Sequence, residues 1–252
     1  MRISDHDGGV RVLALDRPPA NAIDVSLTTE LATAVETAAA ESTVRALVLT
    51  GAGRFFSAGV DLGVVERAGD LDTIVTLFRG IRAMVTALLA ASRPTLCMLN
   101  GHAVAGGLVL ALACDCRLGL DGDWKLGLNE VPVGASYPRA ALEVVSLRLP
   151  HACAAELALG AALYPANQAP RLGIVDELLP ADRFEATVLR RAARMGTFPR
   201  EAYAHSKAAL VAGALARIAA ETPAAERAAA AVWLAPESIA ARRAQLVALA
   251  RR

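Results

Sequence analysis

Hydrophobic and polar residues alternate over residues 10–16, the two-residue period of a half-buried strand, and the pattern stops at Pro18-Pro19. Residues 27–40 then take up helical spacing, with Asp24 or Ser26 available as the N-cap. A short apolar run over 45–50 reads as a buried strand, closed by Gly51-Ala52-Gly53 and followed by a loop over 54–61. A long amphipathic helix is predicted over 71–91, stopped ahead of Pro94, and a third strand over 94–99. Asn100-Gly101 turns the chain into an apolar helix over 103–114 that opens on Gly106-Gly107. Short strand pieces follow at 117–120 and 124–127, and from Ser136 onward the pattern is mainly helical. One brief strand at 174–178, after Leu172-Gly173, interrupts it.

Strand and helix therefore alternate through the first two-thirds of the chain, and helices dominate the last third. That order predicts an α/β core of strand–helix turns carrying a helical C-terminal region. The division falls near Thr197-Phe198-Pro199, giving a core over 1–197 and a helical region over 198–252. Residues 224–252 read as one or two Ala/Arg-rich helices broken near Pro236. No repeat of fixed period is visible.

Composition adds constraints. The chain is 55% hydrophobic but only 4% aromatic, so Ala, Leu and Val must fill the core. A formal net charge of +1 gives no nucleic-acid or membrane-binding surface. Arginines cluster at Arg190, Arg191 and Arg194, and again at Arg242, Arg243, Arg251 and Arg252. These read as solvated helix faces, or as attraction for an anionic cofactor. Cys97, Cys114, Cys116 and Cys153 form no CxxC pair and no zinc-type spacing, so four reduced, mostly buried thiols are expected. The N-terminal residues lack an apolar signal core, and the longest uncharged apolar stretch, 103–113, is too short to span a bilayer. A cytoplasmic location is the expectation.

Three segments carry candidate chemistry: 53–62 (GRFFSAGVDL), 100–107 (NGHAVAGG) and 127–134 (GLNEVPVG). Taken singly, each is a turn or a packing glycine pair. Their order and spacing closely resemble the crotonase (enoyl-CoA hydratase/isomerase) superfamily. So do the opening Asp16-Arg17-Pro18 with Asn21-Ala22-Ile23 and the later Leu172-Gly173-Ile174-Val175-Asp176. The resemblance covers nearly the whole chain. It implies a spiral of ββα units with a helical C-terminal trimerisation region, assembled as a homotrimer or as a hexamer made of two trimers. It also implies an acyl-CoA thioester substrate, with coenzyme A as part of that substrate and no permanently bound cofactor or metal.

Removing a proton beside a thioester carbonyl makes an enolate, whose charge needs preorganised donors. By the resemblance, these are the backbone N–H groups of Val60 and Gly106. Gly106 falls where an apolar helix begins, so its N–H is unclaimed and the helix dipole favours an anion. Val60 is usually Ala in the family, which a backbone donor tolerates. Ala22, Ala58, Val60, Asp61 and Leu62 would sit along the coenzyme. The family often carries a Lys shortly after the position of Leu62; Gly63 stands there instead, leaving Arg17 and Arg54 as candidate phosphate contacts.

Hydratases of this family use two glutamates, one activating water and the other donating a proton. The first of these positions is Val109 here and the second is Glu130. One base suffices to shift a double bond, and the segments 105–112 and 128–130, together with Pro138, are especially similar to Δ3,Δ2-enoyl-CoA isomerases. Dienoyl-CoA isomerases carry an Asp at the matching position and fit less well. The expectation is an enoyl-CoA isomerase with Glu130 as sole acid/base. Hydration, thioester hydrolysis and non-catalytic acyl-CoA binding stay open as alternatives. In an apolar pocket, Glu130 should be a strengthened base. Glu143 reads as solvated or paired with Arg139 or Arg148, with a remaining chance of being the second acid. Asp61 and Asp115 read as structural anchors, His102 as a loop-fixing residue, and Ser136-Tyr137 as pocket lining.

Overall fold

The computed structural model describes residues 1–250. A six-stranded sheet is ordered β1 (Arg2–His6), β2 (Val10–Leu15), β3 (Ala46–Gly51), β5 (Thr95–Leu99), β7 (Cys116–Leu120), β10 (Glu177–Leu179). Only the β1–β2 pair is antiparallel. The central strands are buried on both faces, hence their unbroken apolar runs. Side chains still divide by the two-residue period. Leu47 and Leu49 face one core, and Ala46 and Val48 face a second core closed by Phe184, Val188 and Ala192. Those last three belong to α7 (Phe184–Gly196), which lies across that face of the sheet.

A second, smaller sheet is ordered β4 (Phe55–Ser57), β6 (His102–Val104), β8 (Lys125–Gly127), β9 (Tyr164–Pro165). Each central strand of the large sheet is followed by one strand of the small sheet and then by helix. β3 leads to β4, then α2 (Leu62–Ala68) and α3 (Leu71–Ala90). β5 leads to β6 and α4 (Gly106–Ala113); β7 leads to β8 and, after a 3-10 turn, α5 (Arg139–Arg148). This is the spiral of ββα units that the resemblance implied. The predicted helix over 103–114 therefore starts later, at Gly106, because residues 102–104 pair as β6. The predicted 174–178 strand is displaced to Glu177–Leu179, and Ile174 is instead a buried core residue. Neither β1 nor β4 was visible in the pattern: β1 is almost wholly exposed, and β4 is only three residues long.

The helix α1 (Val25–Ala40) is N-capped by Asp24, whose carboxylate accepts the Leu27 N–H at 2.8 Å. It packs on α3, whose Ile74, Phe78, Ile81, Met84 and Leu88 are buried. By length and composition α3, which is longer than the apolar stretch at 103–113, could cross a bilayer, but its apolar surface is taken up by the core.

After α6 (His151–Gly160) and α7, the chain ends in α8 (Arg200–Ala219), α9 (Pro223–Val232) and α10 (Pro236–Ala250). α8 is anchored by Lys207, 6% exposed, whose Nζ donates to Asp115 at 2.8 Å and to the Leu88 carbonyl at 2.9 Å. Asp115 also accepts from Tyr203 at 2.9 Å and from the Thr95 N–H at 3.0 Å, the anchoring role expected of it. α10 folds back against α2 and the turn after Glu130. Contact is close because Gly134, at φ +70°, meets the backbone of Ser238 with no side chain between them. Arg242 is not a solvated surface arginine. It is 2% exposed, pairs with Glu66 at 3.2 Å and donates to the Trp233 carbonyl at 3.0 Å. Arg190 and Arg194 do lie on the surface; Arg251 and Arg252 fall outside the described residues.

Candidate active site

The strands of the small sheet bring the three sequence segments to one cavity of about 570 Å³. Its walls include Ala22, Ala58, Val60, Asp61 and Leu62 on one side, Gly106 and Val109 from α4, and Glu130. The expected acid/base, the two expected amide donors and the expected coenzyme-flanking residues therefore meet there.

The first segment is held by a single parallel bridge. The Ile23 N–H donates to the Gly59 carbonyl at 2.7 Å, and the Asp61 N–H donates to the Ile23 carbonyl at 2.9 Å. In such a bridge the N–H of the middle residue, Val60, points the other way. Asn21, which the sequence marks only through its likeness to the family's opening segment, is the hub behind it. Its side-chain amide donates to the carbonyls of Ala52 (3.0 Å) and Phe55 (2.8 Å), and its own carbonyl accepts from Ser57 Oγ at 2.7 Å.

The second segment turns at Ala105, whose φ of 52° and ψ of −128° are rare for a residue with a Cβ. Such a conformation stores on the order of 1–3 kcal/mol. It is fixed by the Ala105 N–H donating to the Gly127 carbonyl at 2.8 Å, and it starts α4 with the Gly106 N–H unclaimed. Among the described residues neither the Val60 nor the Gly106 amide donates to any protein group, and both border the cavity.

Glu130 follows β8. Its carbonyl accepts the N–H groups of Val133 (3.1 Å) and Ala135 (3.0 Å), which fixes the backbone of the turn. The residue is 8% exposed, and one carboxylate oxygen, Oε2, is buried without a hydrogen-bond partner among the described residues. Burial pushes its pKa up to about 7, against a smaller opposing pull from a backbone N–H and the Tyr137 hydroxyl. That hydroxyl donates to the Ala158 carbonyl at 3.0 Å, so its hold on Glu130 is secondary.

Asp61, on the same cavity, is the opposite case. Burial works against its charge, but Arg17 at 2.7 Å and the Val64 N–H at 3.1 Å outweigh it and hold the carboxyl below the usual range. Two carboxylates in one pocket are thus driven apart in acidity, one poised and one fixed as an anion.

The other candidates sort by their contacts. Glu143 is neither solvated nor in the cavity: it is 6% exposed and held by Arg139 and Arg217, each at 2.8 Å. The Arg148 alternative is wrong because Arg148 turns to Asp115 at 3.4 Å. Val109 stands as an apolar wall. His102 stacks on Phe55 at 4.8 Å and accepts the Lys125 N–H at Nδ1 (3.1 Å), a loop-fixing contact. Burial, then the nearby Arg54, lowers its pKa. Ser136 lines the cavity; Tyr137 sits behind it. Arg17 reaches the cavity but is committed to Asp24 and Asp61, and Arg54 does not line it. Lys125 does line it, with no carboxylate partner among the described residues, a position that no sequence signal marked. Trp233 and, from α10, Gln245, Leu246 and Leu249 also line it, which only the folded-back C-terminus could disclose. Among the described residues no group of three or more His, Cys, Asp or Glu side chains is arranged to hold a metal ion.

A ββα spiral with its cavity built from the ends of paired strands is the crotonase fold. The chain belongs to the enoyl-CoA hydratase/isomerase family, whose model matches residues 5–234. Enzymes of this family act on coenzyme A thioesters without a permanent cofactor. The chain is 29% identical over 202 residues to the 2,3-dehydroadipyl-CoA hydratase of Escherichia coli, covering 80% of this chain and 78% of that one. It is 28% identical over 207 residues to the mitochondrial enoyl-CoA delta isomerase 1 of Homo sapiens, covering 81% and 68%. In fold it matches the crystal structure of human mitochondrial Δ3-Δ2-enoyl-CoA isomerase with a TM-score of 0.92, at 24% identity over 100% of this chain and 99% of that one. Relatives thus carry both activities.

Proposed function

We propose that this protein is an enoyl-CoA isomerase that moves the double bond of a 3-enoyl-CoA to the 2-position, with Glu130 as its only acid/base. The observation that carries this reading is the Glu130 Oε2, buried and without a hydrogen-bond partner among the described residues, in a cavity whose other catalytic-carboxylate position is Val109. The Glu130 carboxylate takes a proton from C2. The electron pair left behind delocalises onto the thioester oxygen, which accepts hydrogen bonds from the Val60 and Gly106 amides. As the carbonyl re-forms, C2 and C3 become doubly bonded, and the C3–C4 π pair takes the proton back from Glu130 at C4. One group serves both steps because it is regenerated by the second. Ala22, Ala58, Val60, Asp61 and Leu62 would flank the coenzyme, with Lys125 as the available cation for its phosphates.

Hydration is the second reading, favoured by the hydratase relative. It needs a second carboxylate free to act beside Glu130, but Asp61 on the same cavity is held by Arg17 and Glu143 is held elsewhere by two arginines. Assembly as a homotrimer or hexamer is part of the same proposal. It is supported by the family fold and by exposed apolar side chains such as Leu159 and Leu210, 75% and 74% exposed. A monomeric mass by sedimentation would refute it.

The test is a pair of spectrophotometric assays, 3-enoyl-CoA isomerisation and 2-enoyl-CoA hydration, on wild type and Glu130→Gln. Isomerisation that falls by about 10²–10⁴-fold in the variant, with little hydration in either protein, supports the single-base reading. Robust wild-type hydration overturns it.

A further inference from the structure

The end of the core away from the acyl-CoA cavity carries a second cluster of charge. Three connections meet there: the turn from α1 into β3, with Ser42 and Arg45; the turn from α3 into β5, with Ser92 and Arg93; and the junction of α7 with α8, ending at Arg200. They enclose a cavity of about 100 Å³. At ~30 Å³ per water in the liquid, that is room for a few waters, the scale of a small oxyanion rather than of a coenzyme.

Three guanidinium groups line this cavity and, among the described residues, no carboxylate does. Arg45 Nε donates to the Gly196 carbonyl at 2.7 Å, and Arg93 donates one terminal nitrogen to the Glu41 carbonyl at 3.1 Å. The Glu41 carboxylate itself is turned away to Arg11 at 2.7 Å. Arg93 is 5% exposed, and its Nε is buried with no hydrogen-bond partner among the described residues. An arginine cannot shed its proton to escape such a site, so a buried, unpaired guanidinium among like charges is a standing penalty. Burial first, then repulsion by Arg200 and Arg45, lowers its proton affinity. The N-terminus of α8, without a side-chain cap at Pro199, adds the positive end of a 20-residue helix to the same wall.

We propose that this crevice binds a phosphate-sized dianion, held by Arg45, Arg93 and Arg200 with the Ser42 and Ser92 hydroxyls as further donors. The ligand would supply the counter-charge that the chain does not, and guanidinium groups suit it because their forked donors match tetrahedral oxyanions. The site is distinct from the acyl-CoA cavity. β3 and β5 leave the crevice at Arg45 and Pro94 and reach the other cavity beyond Gly51 and Leu99, ~17–20 Å away by ordinary strand length. A bound dianion would tie α8 to the loops after α1 and α3.

The experiment titrates the full-length protein with inorganic phosphate at pH 7.5 and constant ionic strength. Binding is followed by equilibrium dialysis and by thermal unfolding, with chloride as the control. Expected are one phosphate per chain, saturable in the millimolar range or tighter, and a midpoint raised by phosphate and not by chloride. Arg200→Ala, at an exposed position, should fold normally and weaken binding at least tenfold. Arg93→Gln should do the same, with Arg45→Ala in its place should that variant not fold. Lys125→Ala, on the acyl-CoA cavity, should bind phosphate as wild type does. Glycerol 3-phosphate binding as well as phosphate would mean that the open side admits a phosphorylated molecule, and weaker binding would mean the free ion; both uphold the site. The proposal is overturned if wild type shows no saturable phosphate binding, or if Lys125→Ala abolishes it while Arg200→Ala does not. It is also overturned if phosphate does not bind and Arg200→Ala instead lowers the mass of the assembly, since a carboxylate of a second copy would then be the partner.

Discussion

A methyl group placed on Gly59 would stand 3.0 Å from the amide nitrogen of Gly106, across the gap between the two segments that frame the cavity. It would also meet the Ala105 Cβ and the Val104 carbonyl, each at 2.8 Å, and Gly59 itself has φ +80°. The two proposed oxyanion donors therefore depend on a glycine that contributes no donor of its own. Gly59→Ala is expected to keep the fold but lower kcat by about 10²–10³-fold, the effect of losing one such donor. Steady-state kinetics beside circular dichroism checks it; near-wild-type kcat would mean that Gly106 N–H is not at the reacting oxygen.

The raised pKa of Glu130 sets a pH dependence. The base must be ionised, so kcat/KM for isomerisation should rise with pH and level off above about 7. A profile already flat at pH 5 would contradict a buried base.

The same shift acts on stability with the opposite sense. The native carboxyl holds its proton up to about 7, against 4.5 for the ordinary value, so the native state binds more protons between these limits. Stability attributable to Glu130 therefore falls as pH rises through that window. Glu130→Gln should be more stable than wild type at pH 8, by on the order of 3 kcal/mol at most, and the gain should vanish below pH 4.5. Urea titrations at the two pH values test this.

Val109→Glu would put a second carboxylate on α4 in the cavity. Hydration of 2-enoyl-CoA should rise above the wild-type level, while stability falls by about 1–3 kcal/mol for burying a polar group in an apolar wall. No gain in hydration, in a variant that folds, would mean that the pocket lacks a water site opposite Glu130.

Lys207→Met removes the closer of two cationic partners of Asp115, Arg148 being the other, from a network that also holds Tyr203. Arg148, Tyr203 and Thr95 still hold the carboxylate, so the loss is that of one charged hydrogen bond, about 1.5–3 kcal/mol, and the denaturation midpoint should drop. A loss below 1 kcal/mol would make the network incidental.

The sequence by itself determined the elements whose patterns are local and strong: the apolar runs of β3 and β5, the long periodic α3, and the glycine turns between them. It also marked Glu130 and the absence of a glutamate at Val109, because a motif of fixed spacing survives without tertiary detail. Tertiary structure decided the rest. β4 and β6 are three-residue strands with no periodicity to read, and they exist because each finds a neighbour in the small sheet. Arg242 and Glu143 look like surface charges in sequence, yet are buried because α10 carries Arg242 to Glu66 on α2 and α8 brings Arg217 to Glu143. The cavity wall at Trp233 and Leu246 lies far along the chain from Glu130 and is joined to it only because α9 and α10 fold back over the core. Local pattern specifies which residues carry the chemistry. Burial, and with it the basicity of Glu130, depends on packing between segments far apart in the chain.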